Sequence, residues 1–209
     1  LEPLTGMVSI LAGTPAGNYE IKYHICEKLN PTNCNDATVF ISVDGPSVLA
    51  VNDTAANVNG YVGAANVVNA LTNDLLNGTA AQLAQVNIAS LNTVTPADYI
   101  AGNPVPVLNI TNGSVDVPAG TSNGTYIIHY GICEKLNPAN CSEADITVVV
   151  NAATIVANDD IDLNVNGYVG AANALNVLDN DSFNDSSIES KKAKVAININ
   201  QITITIFDP

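Results

Sequence analysis

Tryptophan and arginine are absent from this 209-residue chain, which holds only three Phe and one Met. A core without large aromatic rings has to be built from small branched side chains, and Val, Ile, Ala, Thr and Asn dominate here. Positive charge is also scarce: six Lys stand against twenty Asp and Glu, for a formal net charge of −14. Such a surface repels polyanions, which excludes nucleic acid or anionic lipid as a main partner. No apolar run approaches the roughly 20 residues of a membrane-spanning helix. No signal peptide opens the chain, no stretch carries a helical hydrophobic period, and no Gly-rich phosphate loop leads from a strand into a helix.

What is present is repetition. The sequence VNGYVGAAN occurs at 58–66 and 165–173, and ICEKLNP at 25–31 and 132–138; both pairs are offset by 107 positions. A shared offset for two separate motifs marks an array of repeated units rather than one large domain. Residues 1–48 match only the second half of a unit, and 157–209 only the first half. The expected organisation is therefore a C-terminal half-repeat at 1–48, a complete repeat at 49–156 and an N-terminal half-repeat at 157–209. On this expectation the chain is cut out of phase with its repeat, and any targeting sequence was removed or lies far upstream.

Within the complete unit, strand signals recur about every ten residues, at 47–52, 67–71, 84–89, 105–110, 114–117, 124–133 and 144–150. Asn59-Gly60, Asn77-Gly78, Asn112-Gly113 and Pro118-Ala-Gly120 supply turns between them. About seven short strands in about a hundred residues predict an all-β fold of tandem immunoglobulin-like sandwiches. The best-patterned strand alternates Tyr126, Ile128, Tyr130 and Ile132 with Ile127, His129, Gly131 and Cys133. In the first copy the rows are Tyr19, Ile21, Tyr23, Ile25 and Glu20, Lys22, His24, Cys26. Period two sends the Tyr/Ile row into the core and the cysteines to the outer face.

The four cysteines, Cys26, Cys34, Cys133 and Cys141, form the same CEKLNPxNC pair in each copy. Paired cysteines that recur with the repeat suggest disulfides and an oxidising location, whereas zinc would call for CxxC spacing or nearby His. On the outer face, each disulfide would clip its own hairpin locally instead of crossing between sheets. The joints, 44–53 and 151–160, are short and β-branched without a Gly/Ser spacer, which favours a stiff rod.

The entry (V/A)ND(T/D), then VNGYVG, then NALTNDLLNG or NVLDNDSFND, then AGTxxGxY leading into ICEKLNPxNC, closely resembles repeats of very large Bacteroidota cell-surface adhesins of the SprB type. The likeness covers essentially the whole chain in two permuted copies. It implies secretion by the type IX system, extracellular display as long surface filaments, and a part in attachment and gliding motility.

Chemistry in the repeat is sparse. His24 aligns with Gly131 and His129 with Lys22, so neither His persists between copies, and the chain is expected not to be an enzyme. Asp53 and Asp74 match Asp160 and Asp181, with Asp159, Asp162 and Asp179 added. Carboxylates and Asn carbonyls near a joint offer the hard oxygen ligands that calcium uses. The plainer alternative is that these Asp and Asn residues cap their own turns. Asp53-Thr54-Ala55 resembles the short O-glycosylation signal of Bacteroidota, which would place a glycan on Thr54. Finally, a half-sandwich exposes apolar faces and strand edges. The run 194–207 alternates Ile with polar residues and needs a partner sheet, which residues 1–48 of a neighbour could supply. The expected partners are therefore neighbouring repeats or copies of the chain itself, head to tail. One version is an excerpt of a filamentous adhesin; the other is a subunit of a stalk or matrix fibre joined by strand complementation.

Overall fold

The computed structural model describes residues 1–161 and 165–187. Asp162 and the alternating run 194–207 lie outside the described residues. The chain divides into two compact units, 1–152 and 153–209, and the described residues contain strands and turns but no helix.

The first unit opens with a hairpin. β1 (Gly17–Cys26) and β2 (Cys34–Val43) pair antiparallel from Gly17↔Val43 to Cys26↔Cys34 without a break. The rest of this unit carries β3 (Val48–Leu49), β4 (Asp53–Asn59), β5 (Ala64–Asn69), β6 (Leu75–Leu76), β7 (Thr79–Ala80), β8 (Val86–Val94), β9 (Val107–Leu108), β10 (Ser114–Val117), β11 (Gly124–Glu134) and β12 (Cys141–Asn151). One sheet runs β4-β12-β11-β8; two three-stranded sheets run β5-β10-β9 and β3-β6-β7. Their inward residues meet in one core, so the repeat is an immunoglobulin-like β-sandwich.

The core follows from the alternation. Tyr126, Ile128, Tyr130 and Ile132 are fully buried, and β12 contributes Ile146, Val148 and Val150 opposite them. Val86 and Ile88 from β8 extend the row, and Val115 and Val117 face it from β10. Asn77 and Gly78 both take positive φ, 52° and 74°, and form the tight loop between β6 and β7. That is the backbone a two-residue hairpin turn demands, and Asn-Gly is the pair that supplies it most readily.

Several strand limits differ from the sequence expectation. β8 starts later and runs on to Val94, while the expected strand at 105–110 shortens to two residues between Pro104, Pro106 and the turn at Asn109. The largest difference is β4, where no strand was expected between the joint at 44–53 and the turn at Asn59-Gly60. It pairs in parallel with β12, Asp53 beside Ile146, and buries Asp53, Ala55 and Val58. The buried positions slip out of strict alternation at Asn57, whose φ is 61°, where the register with β12 also shifts.

The VNGYVG motif begins in the last two residues of β4, where the chain turns hard against its own sandwich. A Cβ on Gly60 would lie 2.2 Å from the Thr121 carbonyl oxygen and 2.6 Å from Val150 Cγ1. Gly60 donates to the Asn151 carbonyl and accepts from Gly120 N–H, which sews the turn to the far end of the repeat.

In the second unit, β13 (Ile155–Val156), β14 (Ser182–Phe183) and β15 (Ser186–Ser187) form one three-stranded sheet. These strands lie 107 positions after β3, β6 and β7, and their hydrogen bonds recur with them. Asn77 N–H donates to the Ser47 carbonyl at 2.7 Å and Asn184 N–H to the Thr154 carbonyl at 2.8 Å. Asn66 and Asn173 share positive φ, 54° and 56°.

Candidate functional site

Two constellations stand out in the first unit: a buried acidic hub beneath the start of the repeat, and the loop between β11 and β12.

The hub centres on Tyr130, which β11 points into the core. Its hydroxyl oxygen lies 2.9 Å from Asp74 Oδ1, 3.0 Å from the Val51 carbonyl, 3.3 Å from the Ala70 carbonyl and 3.4 Å from Asp53 Oδ2. Four acceptors thus surround a group with a single proton to donate. Asp74 also accepts Val51 N–H at 2.8 Å, yet its Oδ2 is buried without a hydrogen-bond partner. Burial, and then the charge of Asp74, raise Asp53 to about 6. Asp74 is raised too, by burial, against the pull of the Val51 and Tyr130 hydrogen bonds. Both buried carboxyls are therefore harder to ionise than free ones, Asp53 through its burial and the charge beside it and Asp74 through its burial.

The expected calcium ligands are not gathered. Asp53 and Asp74 meet at the hub, but among the described residues no three His, Cys, Asp or Glu side chains come together in a way that could hold a metal ion. Calcium takes six to eight oxygens, whereas here the Tyr130 hydroxyl sits between the two carboxyls, so the hub does not fit the ion. In the second unit Asp159 and Asp160 are exposed, and Asp181 accepts Asn158 N–H at 2.8 Å, as Asp74 does from Val51. Asn180 donates to the Asp159 carbonyl as Asn73 does to Asn52. The Asn and Asp side chains of this segment thus tie one loop to the next rather than capping their own turns.

The second constellation is the CEKLNPxNC loop. Disulfides join Cys26 to Cys34 and Cys133 to Cys141, each closing its own hairpin as expected. Closing so short a loop stabilises by about 2–3 kcal/mol in the chain-entropy account, and stable disulfides fit an oxidising, extracellular location. Inside the second loop, Glu134 is buried at 5% exposure and its Oε2 accepts Asn137 Nδ2 at 2.7 Å and Asn140 Nδ2 at 3.1 Å. The two amides then reach the segments that flank the β1–β2 hairpin. Asn137 Oδ1 accepts Ala16 N–H at 2.8 Å, just before β1, and Asn140 Nδ2 donates to the Pro46 carbonyl at 2.8 Å, just after β2. Gly45 lies in the same contact: a Cβ there would stand 3.3 Å from Asn140 Nδ2. One loop therefore grips both ends of the hairpin that precedes its repeat. Sequence reasoning took the segment only as a disulfide loop; the recurring Glu, Asn and Asn at 27, 30, 33 and 134, 137, 140 were the available signal.

The remaining sites are simple. Thr54 is exposed on β4, beside Thr147 of β12. His129 Nδ1 stands 2.5 Å from Asp145 Oδ1 across β11 and β12, both partly exposed; the first copy has Lys22 opposite Thr38.

No family model matches the sequence, and no curated protein matches it either. Among solved structures, the chain is similar to the human desmocollin-1 ectodomain, with a TM-score of 0.38 and 8% identity over 56% of this chain and 23% of that one. It is also similar to protocadherin gamma B2 extracellular cadherin domains 3–6, with a TM-score of 0.36 and 10% identity over 65% of this chain and 34% of the other. Protocadherin gammaB7 EC3-6 matches with a TM-score of 0.35 and 12% identity over 71% and 37%. The chain thus spans about a quarter to just over a third of the length of these structures.

Proposed function

We propose that the chain is a structural stretch of an extracellular, cell-surface adhesin filament built from disulfide-clipped β-sandwich repeats, and that it has no enzymatic activity. The observation that carries this is the grip of Asn137 and Asn140 on Ala16 and Pro46. A joint held at two points by a buried Glu-anchored loop transmits force along a stack of repeats, as a filament working at a surface requires. The acidic, Lys-poor surface keeps such a rod soluble. Attachment and gliding, with secretion by the type IX route, are the sharpest form of the proposal and rest on the sequence resemblance.

Adhesion is tested by coating beads with the purified chain and measuring their retention on glass, plastic and glycan surfaces under flow. Retention that soluble chain competes away supports direct attachment. Beads that wash off everywhere, with a native polypeptide of several hundred kilodaltons, would instead make these repeats a passive stalk.

A second reading, a subunit joined to its neighbours by strand complementation, is favoured by the face of β1. Tyr19 and Tyr23 are each 36% exposed and Ile25 is 66% exposed, although their counterparts in β11 form the core. Denaturing electrophoresis of native material separates the two: about 22 kDa, the mass of this chain, means subunits.

A further inference from the structure

The first loop carries the same gripping apparatus as the second, fully formed and exposed. Asn30 Nδ2 donates to Glu27 Oε1 at 2.6 Å and Asn33 Nδ2 to Glu27 Oε2 at 3.0 Å. The backbone beneath it is equally alike. Glu27 N–H donates to the Asn33 carbonyl at 2.9 Å, as Glu134 N–H does to Asn140 at 3.0 Å; Asn33 N–H donates to Asn30, as Asn140 does to Asn137. The disulfide closes both loops at the same place. Yet Glu27, Asn30 and Asn33 are all exposed, whereas Glu134 is buried and Asn137 and Asn140 are half-buried. Once Glu27 holds the two amides, Asn30 Oδ1 remains as an acceptor and Asn33 retains a second N–H. Those are the groups with which Asn137 and Asn140 take a backbone N–H and a backbone carbonyl.

We propose that Glu27, Asn30 and Asn33 form a docking clamp for the end of another repeat of this kind, supplied by a second copy of this chain. The occupant of the second clamp defines what fits the first: an N–H just before a Gly-x-Tyr strand and a carbonyl in the joint after its partner strand. By the offset of 107, positions 16 and 46 correspond to Asn123, an exposed residue before Gly124 of β11, and Ala153. Recognition is through backbone groups, so the change from Ala16 and Pro46 to Asn123 and Ala153 leaves the chemistry intact. Ala152 stands where the filled clamp meets Gly45, and its Cβ asks the gripping amide to yield by a few tenths of an ångström. A carboxylate that pre-aligns both amides lowers the ordering cost of the contact, and a disulfide-closed loop lowers it further. The inference rests on the stacking of repeats proposed above, and it adds the residues that join one chain to the next.

The test uses the full chain. Sedimentation velocity over a concentration series measures self-association of the wild type and of a Glu27→Ala/Asn30→Ala/Asn33→Ala variant. Hydrogen exchange at Asn123 and Gly124 reports the occupied end. The expected result is association of the wild type with slowed exchange at Asn123. In the variant, association should weaken by about tenfold or more, as loss of one or two charge-anchored hydrogen bonds implies, with that slowing abolished and thermal unfolding unchanged. A wild type that stays monomeric overturns the clamp. So does association that the variant leaves untouched, which would assign it to the exposed Tyr19, Tyr23 and Ile25 face. A monomeric chain whose beads still adhere would remove the clamp and leave adhesion standing.

Discussion

The hairpins β1–β2 and β11–β12 share the CEKLNPxNC loop, the Tyr-x-Ile-x-Tyr-x-Ile row and the same ten-pair register, ending on Cys26↔Cys34 and Cys133↔Cys141. Tyr126, Tyr130 and Ile132 are fully buried, while Tyr19, Tyr23 and Ile25 keep between a third and two-thirds of their surface exposed. Strand, register and disulfide are thus decided within about thirty residues of local sequence. Burial is decided by whether β4 and β8 flank the hairpin and the opposing sheets cover its face. Secondary structure and core membership come from different parts of the chain, and identical side chains carry very different energetic weight in the two copies.

Matched substitutions sharpen that comparison most. Ile132→Ala should cost about 3–4 kcal/mol of stability, by lost transfer energy and the cavity left behind, whereas Ile25→Ala should change stability by less than about 0.5 kcal/mol. Chemical denaturation of the two variants decides it; equal costs would mean that the first hairpin is covered in solution. The glycines of the two VNGYVG motifs give a second pair. Gly60→Ala places a Cβ 2.2 Å from a carbonyl oxygen and should destabilise by about 2–3 kcal/mol. Gly167, with nothing within 4 Å of its would-be Cβ, should accept Ala almost silently in thermal melts. Removing the second disulfide by Cys133→Ser/Cys141→Ser should cost about 2 kcal/mol and loosen the Glu134 loop. Hydrogen exchange at Ala16 would report the loosening.

The smallest effect concerns the acidic hub, which the first hairpin lacks in this chain. Asp53 titrates near 6 in the fold against 3.8 in its ordinary state, with burial as the first cause and the neighbouring Asp74 as the second. The folded state therefore binds this proton more tightly than the unfolded chain does. That contribution is fully present below about pH 4 and is lost as pH rises through about 6. Acidification from neutral pH toward 5 should accordingly raise the melting temperature. Asp53→Asn should raise it at pH 7 and flatten the pH dependence between 4 and 6. A wild-type melting temperature that falls steadily across this range would show both carboxyls ionised. Millimolar calcium or EDTA should leave the melting curve in place, because the two carboxyls do not make a calcium site.

Much of the fold was legible because its signals are local. Alternation of Tyr126 to Ile132 located the core row, Asn77-Gly78 located a hairpin turn, and the cysteine spacing located the clips. The parts that escaped depend on distant residues. β4, with its sequence Asp-Thr-Ala-Ala-Asn-Val-Asn, is small and polar and carries little strand preference; it becomes a strand only by pairing in parallel with β12, about ninety residues later in the chain. The Tyr130 hub was invisible for a related reason: period two shows that the ring is buried but not which carboxyls its hydroxyl meets. In the gripping loop, Glu134, Asn137 and Asn140 read as an ordinary polar turn until Ala16 and Pro46 are found against them.

Whether the Glu134 loop locks the first hairpin to the repeat is tested most directly by residual dipolar couplings of the full chain in a weakly aligning medium. Amides of 17–43 and of 53–151 should fit a single alignment tensor in the wild type, and two in a Glu134→Ala/Asn137→Ala/Asn140→Ala variant. Two independent tensors in the wild type would contradict the account, since the hairpin would then move freely despite the hydrogen bonds at Ala16 and Pro46.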